Sequence, residues 1–168
     1  MPKESYAYGR SGFILTTALL IVLAMFIMGI FIIIGSDQGV QVLVASLCAA
    51  VIFFYGLAPM VTRHSIDEEN LVLTQGLFFR AKIPLLSIVS VEPLASGPRR
   101  TGAYLSIRKK IIYVTTRSDD LIIIKLRKQQ RFAMAFGRKA DTVVFDCLDT
   151  RTMLARLKPW VTPANLSR

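Results

Sequence analysis

The chain has 168 residues, 53% of them hydrophobic, and a formal net charge of +10. The length suits one ordinary domain, but the apolar residues are gathered into long blocks, which argues against a simple soluble globule. One histidine and two cysteines leave little room for metal or catalytic-triad chemistry.

The first segment, 1–11, carries Lys3 and Arg10. Residues 12–34 and 40–61 then contain no charged side chain. Each run exceeds the roughly 18–20 apolar residues that cross a ~30 Å hydrocarbon layer as a helix. Two transmembrane helices are expected, joined by an external loop at 35–39. A signal peptide is a poor alternative, because its apolar core runs only ~7–15 residues. The loop has no Lys or Arg, whereas Lys3, Arg10 and Arg63 flank the spans. The positive-inside rule predicts a multi-pass protein of the cell membrane with both termini cytoplasmic. Gly29 on the first span, and Ala45, Ser46, Ala49, Ala50 and Gly56 on the second, are small residues that permit close helix packing. They would serve the hairpin itself, a homo-oligomer or a membrane-protein partner. Cys48 lies in the second span and Cys147 far beyond it, so the two cannot pair within one chain, as befits a reducing cytoplasm.

From residue 62 the pattern changes to short alternating runs broken by turn residues, which predicts a mainly β domain over 62–158 and a tail over 159–168. Strands are expected at 63–66, 71–75, 77–83, 87–91, 103–108, 111–116, 121–126 and 142–147. In the third, Leu77, Phe79, Ala81 and Ile83 should share one face, and Phe78, Arg80 and Lys82 the other. Turns fall at 67–70, Gly76, 96–102 and 117–120. Such closely spaced strands leave no room for helical crossovers, so an antiparallel sheet is predicted. Two helices complete the reading. One lies around 128–139, with Arg127, Lys128, Arg131, Arg138 and Lys139 on one arc and Phe132, Ala133 and Phe136 on the next. The other covers 150–158, with Asp149 as N-cap and Met153, Leu154 and Leu157 as its apolar stripe.

Four stretches carry a family likeness. They are Leu-Val-Leu-Thr-Gln-Gly-Leu-Phe-Phe-Arg (71–80), Ile-Pro-Leu-Leu-Ser-Ile-Val-Ser-Val (83–91), Ile-Ile-Tyr-Val-Thr-Thr-Arg-Ser-Asp-Asp-Leu-Ile-Ile-Ile (111–124) and the closing helix at 149–157. In this order, behind two spans, they resemble the bacterial pleckstrin-homology-like domain of small two-span membrane proteins. The likeness covers about residues 62–158. It implies an antiparallel barrel closed by a C-terminal amphipathic helix, hence a membrane α-helical hairpin plus an α+β, mainly-β domain. It also implies a non-catalytic binding or assembly module with no cofactor.

The residues themselves offer no enzyme signature. His64 is the only histidine, and glycine-rich phosphate loops are absent. Asp67-Glu68-Glu69 and Asp119-Asp120 read as turns, without metal sites. The informative feature is charge: residues 99–139 hold twelve Lys or Arg against Asp119 and Asp120, the whole net charge of +10. Beside an anionic inner leaflet each such residue contributes about 1 kcal/mol of attraction. Arg99, Arg100, Arg108, Lys109, Lys110, Arg127, Lys128 and Arg131 are therefore candidates for binding membrane lipids or a partner. Nucleic acid is disfavoured, because the basic residues lack interleaved exposed aromatics. The competing reading is an accessory or scaffold subunit of a membrane complex.

Overall fold

The structure, a computed structural model, describes residues 4–132 and 137–161. The chain forms two compact units: residues 10–62, and a second unit built from residues up to Gly9 together with those from Arg63 onward.

The first unit is a helical hairpin. Helix α1 covers Ser11–Ile33, about 34 Å at ~1.5 Å per residue. The second helix runs Gln38–Val61, in three parts: α2 (Gln38–Val51), a π-helical turn (Ile52–Leu57) and α3 (Ala58–Val61). Asp37 caps α2 by accepting from the Gly39 N–H at 3.0 Å. The π turn lies just ahead of Pro59, which has no N–H to give, and the Ala58 N–H reaches back to the Phe53 carbonyl. Both helices are long and apolar enough to cross a membrane. Large side chains such as Leu15, Phe26, Leu43 and Phe53 stand exposed around them, a surface suited to lipid.

Less exposed positions recur along both helices, among them Phe13, Thr17, Leu20, Ala24, Ile27, Met28 and Phe31 on α1 and Gln41, Val44, Cys48, Ile52 and Gly56 on the second helix, mostly three or four residues apart. Gly56 is where the backbones come closest; a Cβ there would lie 2.6 Å from Thr17 Oγ1. Gly29 has nothing within 4 Å of such a Cβ. Ala45, Ser46, Ala49 and Ala50 are exposed.

The second unit contains nine described strands in two sheets. In the first sheet, β1 (Glu4–Tyr6), β2 (His64–Ile66), β3 (Asn70–Gln75) and β4 (Phe79–Pro84) pair antiparallel in chain order. The second holds β5 (Ile88–Ser96), β6 (Gly102–Ser106), β7 (Ile111–Thr115), β8 (Asp119–Arg131) and β9 (Lys139–Asp146), ordered β5-β8-β9-β7-β6. One core joins them, with Leu71, Leu73, Phe79 and Ile83 from the first sheet and Ile112, Ile122, Ile124 and Phe145 from the second. Helix α4 (Thr150–Leu157) covers it with Met153 and Leu157, and Asp149 caps the helix by accepting from the Thr152 N–H at 3.1 Å.

Several expectations need correction. The pairing closes no single antiparallel barrel among the described residues. Strand β9 slots between β7 and β8, so it is antiparallel to β8 and parallel to β7. The domain also begins earlier than residue 62, because Glu4, Ser5 and Tyr6 pair with Ile66, Ser65 and His64. The helix expected around 128–139 is replaced by the continuation of β8, which pairs Gln130 with Ala140 and Arg131 with Lys139. Residues 127–131 offer no apolar side chain to a core, so a helix there would bury nothing, whereas the ladder satisfies the backbone. Ala133 and Phe136 lie outside the described residues, as do Lys3 and the tail from residue 162. Leu77 leaves the face of Phe79, Ala81 and Ile83: Gln75 pairs with Phe79, so residues 76–78 form the turn.

Two substitutions probe this architecture. Phe79 is 4% exposed, so Phe79→Ala should cost about 3–5 kcal/mol in denaturant unfolding of the full chain. A loss under about 1 kcal/mol, the range of surface sites, would place the ring outside the core. Gly56→Ile should cost about 1–3 kcal/mol by overpacking, whereas Gly29→Ile should leave hairpin stability unchanged, as read by unfolding in mixed micelles.

Candidate functional site

Folding divides the basic stretch into separate clusters. Arg99 and Arg100 sit in the loop between β5 and β6. The Arg100 guanidinium lies 4.8 Å from the centre of the Tyr104 ring, which stacks on Tyr113 at 5.0 Å. Burial, then the Tyr113 hydroxyl, push the Tyr104 phenol up. Arg108, Lys109 and Lys110 make the turn between β6 and β7, closed by the Lys110 N–H donating to the Ile107 carbonyl at 3.3 Å and joined to β9 by the Asp141 N–H donating to the Lys110 carbonyl at 3.3 Å. These two clusters lie at opposite ends of β6 and β7, since Gly102 pairs with Thr115 and Ser106 with Ile111.

The remaining candidates follow β8 as it leaves its partner β5. Arg127, Lys128 and Arg131 are exposed, and Arg131 lines a cavity together with residues of β4. This cavity, of about 440 Å³, is lined by Arg80, Ala81, Lys82, Gln130, Arg131 and Phe132. The Gln130 side-chain amide donates to the Lys82 carbonyl at 2.5 Å, joining the two strands across the floor. Arg80 and Lys82 face outward because β4 alternates, burying Phe79, Ala81 and Ile83. Among the described residues none of Arg80, Lys82 and Arg131 is in an ion pair. Lys82 does help hold the Asp67 carboxyl below its usual range, behind the larger effect of the Glu69 N–H. Three cations around a cleft with no acidic lining residue can take up an anion with several acceptor oxygens, phosphate above all. Arg80 and Lys82 fall outside the stretch 99–139; their signal was the alternation of β4.

A second polar cluster is buried. Asp146, 0% exposed, accepts from the N–H groups of Gly9 at 3.2 Å and Thr116 at 2.8 Å and from the Thr116 hydroxyl at 2.5 Å. Burial nonetheless raises its carboxyl. His64, 1% exposed, accepts from the Thr74 N–H at its Nδ1 at 3.3 Å and packs on Tyr8 and Phe145 with ring centres at 5.0 and 5.6 Å. Burial also drives the Cys147 thiol up to about 11, which keeps the sulfur protonated. These groups tie residues 4–9 to strands β2, β3 and β9. Compared with known proteins, the chain matches no family model, no curated protein and no solved structure.

The buried histidine makes stability acid-sensitive. Burial lowers the His64 pKa to about 4, against ~6.5 in an unfolded chain. Between those values only the unfolded chain takes up the proton, so the contribution is complete above pH ~6.5 and lost as pH falls toward 4, by about 3 kcal/mol. Asp146, with its raised pKa, acts in the opposite sense, since its folded form takes up a proton more readily. The melting temperature should fall from pH 6.5 to 4, and His64→Phe should flatten that fall. An unchanged slope in the variant would assign the acid sensitivity elsewhere.

Proposed function

We propose that this chain is a two-span protein of the cell membrane whose cytoplasmic domain is a non-catalytic pleckstrin-homology-like module that binds anionic lipid head groups. The observation that carries the reading is the cleft of Arg80, Lys82 and Arg131, three cations with no acidic side chain among its lining residues. The Thr74 hydroxyl donates to the Arg63 carbonyl, and Thr74 pairs with Arg80. Arg80 thus stands one strand away from the residue with which the domain resumes after the second span. The module reading is supported by two sheets around one core covered by an amphipathic C-terminal helix. Pairing of β1 with β2 supports an even number of crossings, because it joins the segments flanking the hairpin. Arg10 and Arg63 beside a loop without Lys or Arg favour the cytoplasmic side.

A second reading, an accessory subunit of a membrane complex, draws on the exposed small-residue face of Ala45, Ser46, Ala49 and Ala50. Titrating short-chain lipids into the full chain in neutral micelles separates the two. A phospholipid with an anionic head group should bind well ahead of its phosphatidylcholine counterpart. Changing Arg80, Lys82 and Arg131 together to Gln should cost on the order of 3 kcal/mol, about two powers of ten in affinity at low salt. Equal binding of both lipids would remove the head-group reading and favour the subunit one.

A further inference from the structure

Resting on that membrane reading, we infer that the turn between β3 and β4 is a second membrane contact: Leu77 and Phe78 enter the interfacial layer of the same bilayer. Gly76 turns the chain with φ +64°, in the left-handed region open to glycine. The next two residues, Leu77 and Phe78, are 58% and 54% exposed. Single exposed apolar residues are ordinary; two adjacent large ones at the end of a fixed strand pair are less so. The pair is fixed, since Leu71, Leu73, Phe79, Ala81 and Ile83 from its two strands are all core residues. The tip therefore cannot fold its side chains inward.

Its position names the occupant. The Thr74 N–H donates to His64 Nδ1 at 3.3 Å, and its hydroxyl to the Arg63 carbonyl. Two bonds thus hold the tip against the first residues of the domain, and Arg63 follows Val61, the last residue of the apolar helix, by two positions. A tip held there lies at head-group depth, where aromatic and aliphatic side chains are favoured and an arginine can keep its guanidinium among the phosphates. Arg80, two residues beyond Phe78, lines the cleft. One short segment thereby combines an apolar wedge with an anion-binding cation, the combination that stabilises interfacial binding.

Tryptophan fluorescence in liposomes tests this on the full chain. Trp160 is the only tryptophan, so Trp160→Phe gives a silent background. In it, Phe78→Trp and, independently, Leu77→Trp should show blue-shifted emission that is lost when the lipids carry bromine near the head-group end of their chains. Leu86→Trp, at the 71% exposed position beyond the other end of β4, should keep its emission. Leu43→Trp within the second span reports on the membrane reading itself and should be quenched by bromine deeper in the chains. Solvent-like emission from both tip reporters, with Leu43→Trp quenched, overturns the tip proposal and leaves the spans intact. Blue-shifted but unquenched tip reporters overturn it too, assigning the tip to a protein neighbour. An unquenched Leu43→Trp removes the membrane reading, and the tip proposal with it.

Discussion

Three residue pairs close the chain on itself: Glu4 with Ile66, Ser5 with Ser65, and Tyr6 with His64. Everything between them in sequence is the apolar hairpin and its short flanks. An isolated three-residue strand is worth little, and this one is secured from behind. The Gly9 N–H and the Thr116 hydroxyl both end on the buried Asp146 carboxylate, and the Leu148 N–H donates to the Ala7 carbonyl at 2.9 Å. Arg156 adds an ion pair to Glu4, a weak contribution at a solvated site. Removing Asp146 would leave the Gly9 and Thr116 donors without their acceptor, which costs more than the net value of the bonds themselves.

The same cluster encloses the sole histidine. Its Nδ1 accepts from Thr74 and its faces pack on Tyr8 and Phe145. A ring so enclosed is held neutral, which suits a spacer between three strands. Tying β2 to β3 at Thr74 also fixes the β3–β4 hairpin relative to Arg63. The position of the apolar turn, and of Arg80 and Lys82 on β4, therefore follows from how the chain re-enters the domain.

Much of this was legible in the sequence, for physical reasons that differ by element. The two long apolar helices announce themselves by length and by the absence of charge. Strand β4 could be read from alternation, and α4 from the Asp149 cap and its stripe. Strand β1 could not be read: three residues ahead of the first apolar helix have no periodicity, and only a partner sixty residues away makes them a strand. The far half of β8 misled because Arg127, Lys128 and Arg131 suit a solvated helix face as well as a solvated strand, and only the ladder to β9 decides. Parallel pairing of β9 with β7 is likewise a tertiary fact, since local sequence specifies a strand but not its neighbours. The cleft was half visible: Arg131 belonged to the counted stretch, while Arg80 and Lys82 reach it across the fold.

Charge counted along a chain is a poor measure of the field a surface presents. The turn of Arg108, Lys109 and Lys110 and the loop of Arg99 and Arg100 lie at opposite ends of β6 and β7. Four strand steps, from Ile111 to Thr115, separate those ends by about 13 Å. The Debye length at physiological ionic strength is about 8 Å, so the two clusters act as separate sites. Neither inherits the full +10 of residues 99–139. The cleft gains by the same rule: Arg80 and Lys82 belong to a stretch of sequence with no excess of charge, yet they line one cavity with Arg131. Three cations on one cleft attract a phosphate at short range more strongly than a dozen scattered over a domain, because screening discards the distant ones. What brings these three cations together is the fold: β4 supplies Arg80 and Lys82, and the Gln130 side chain, donating to the Lys82 carbonyl, holds β8 and its Arg131 beside them.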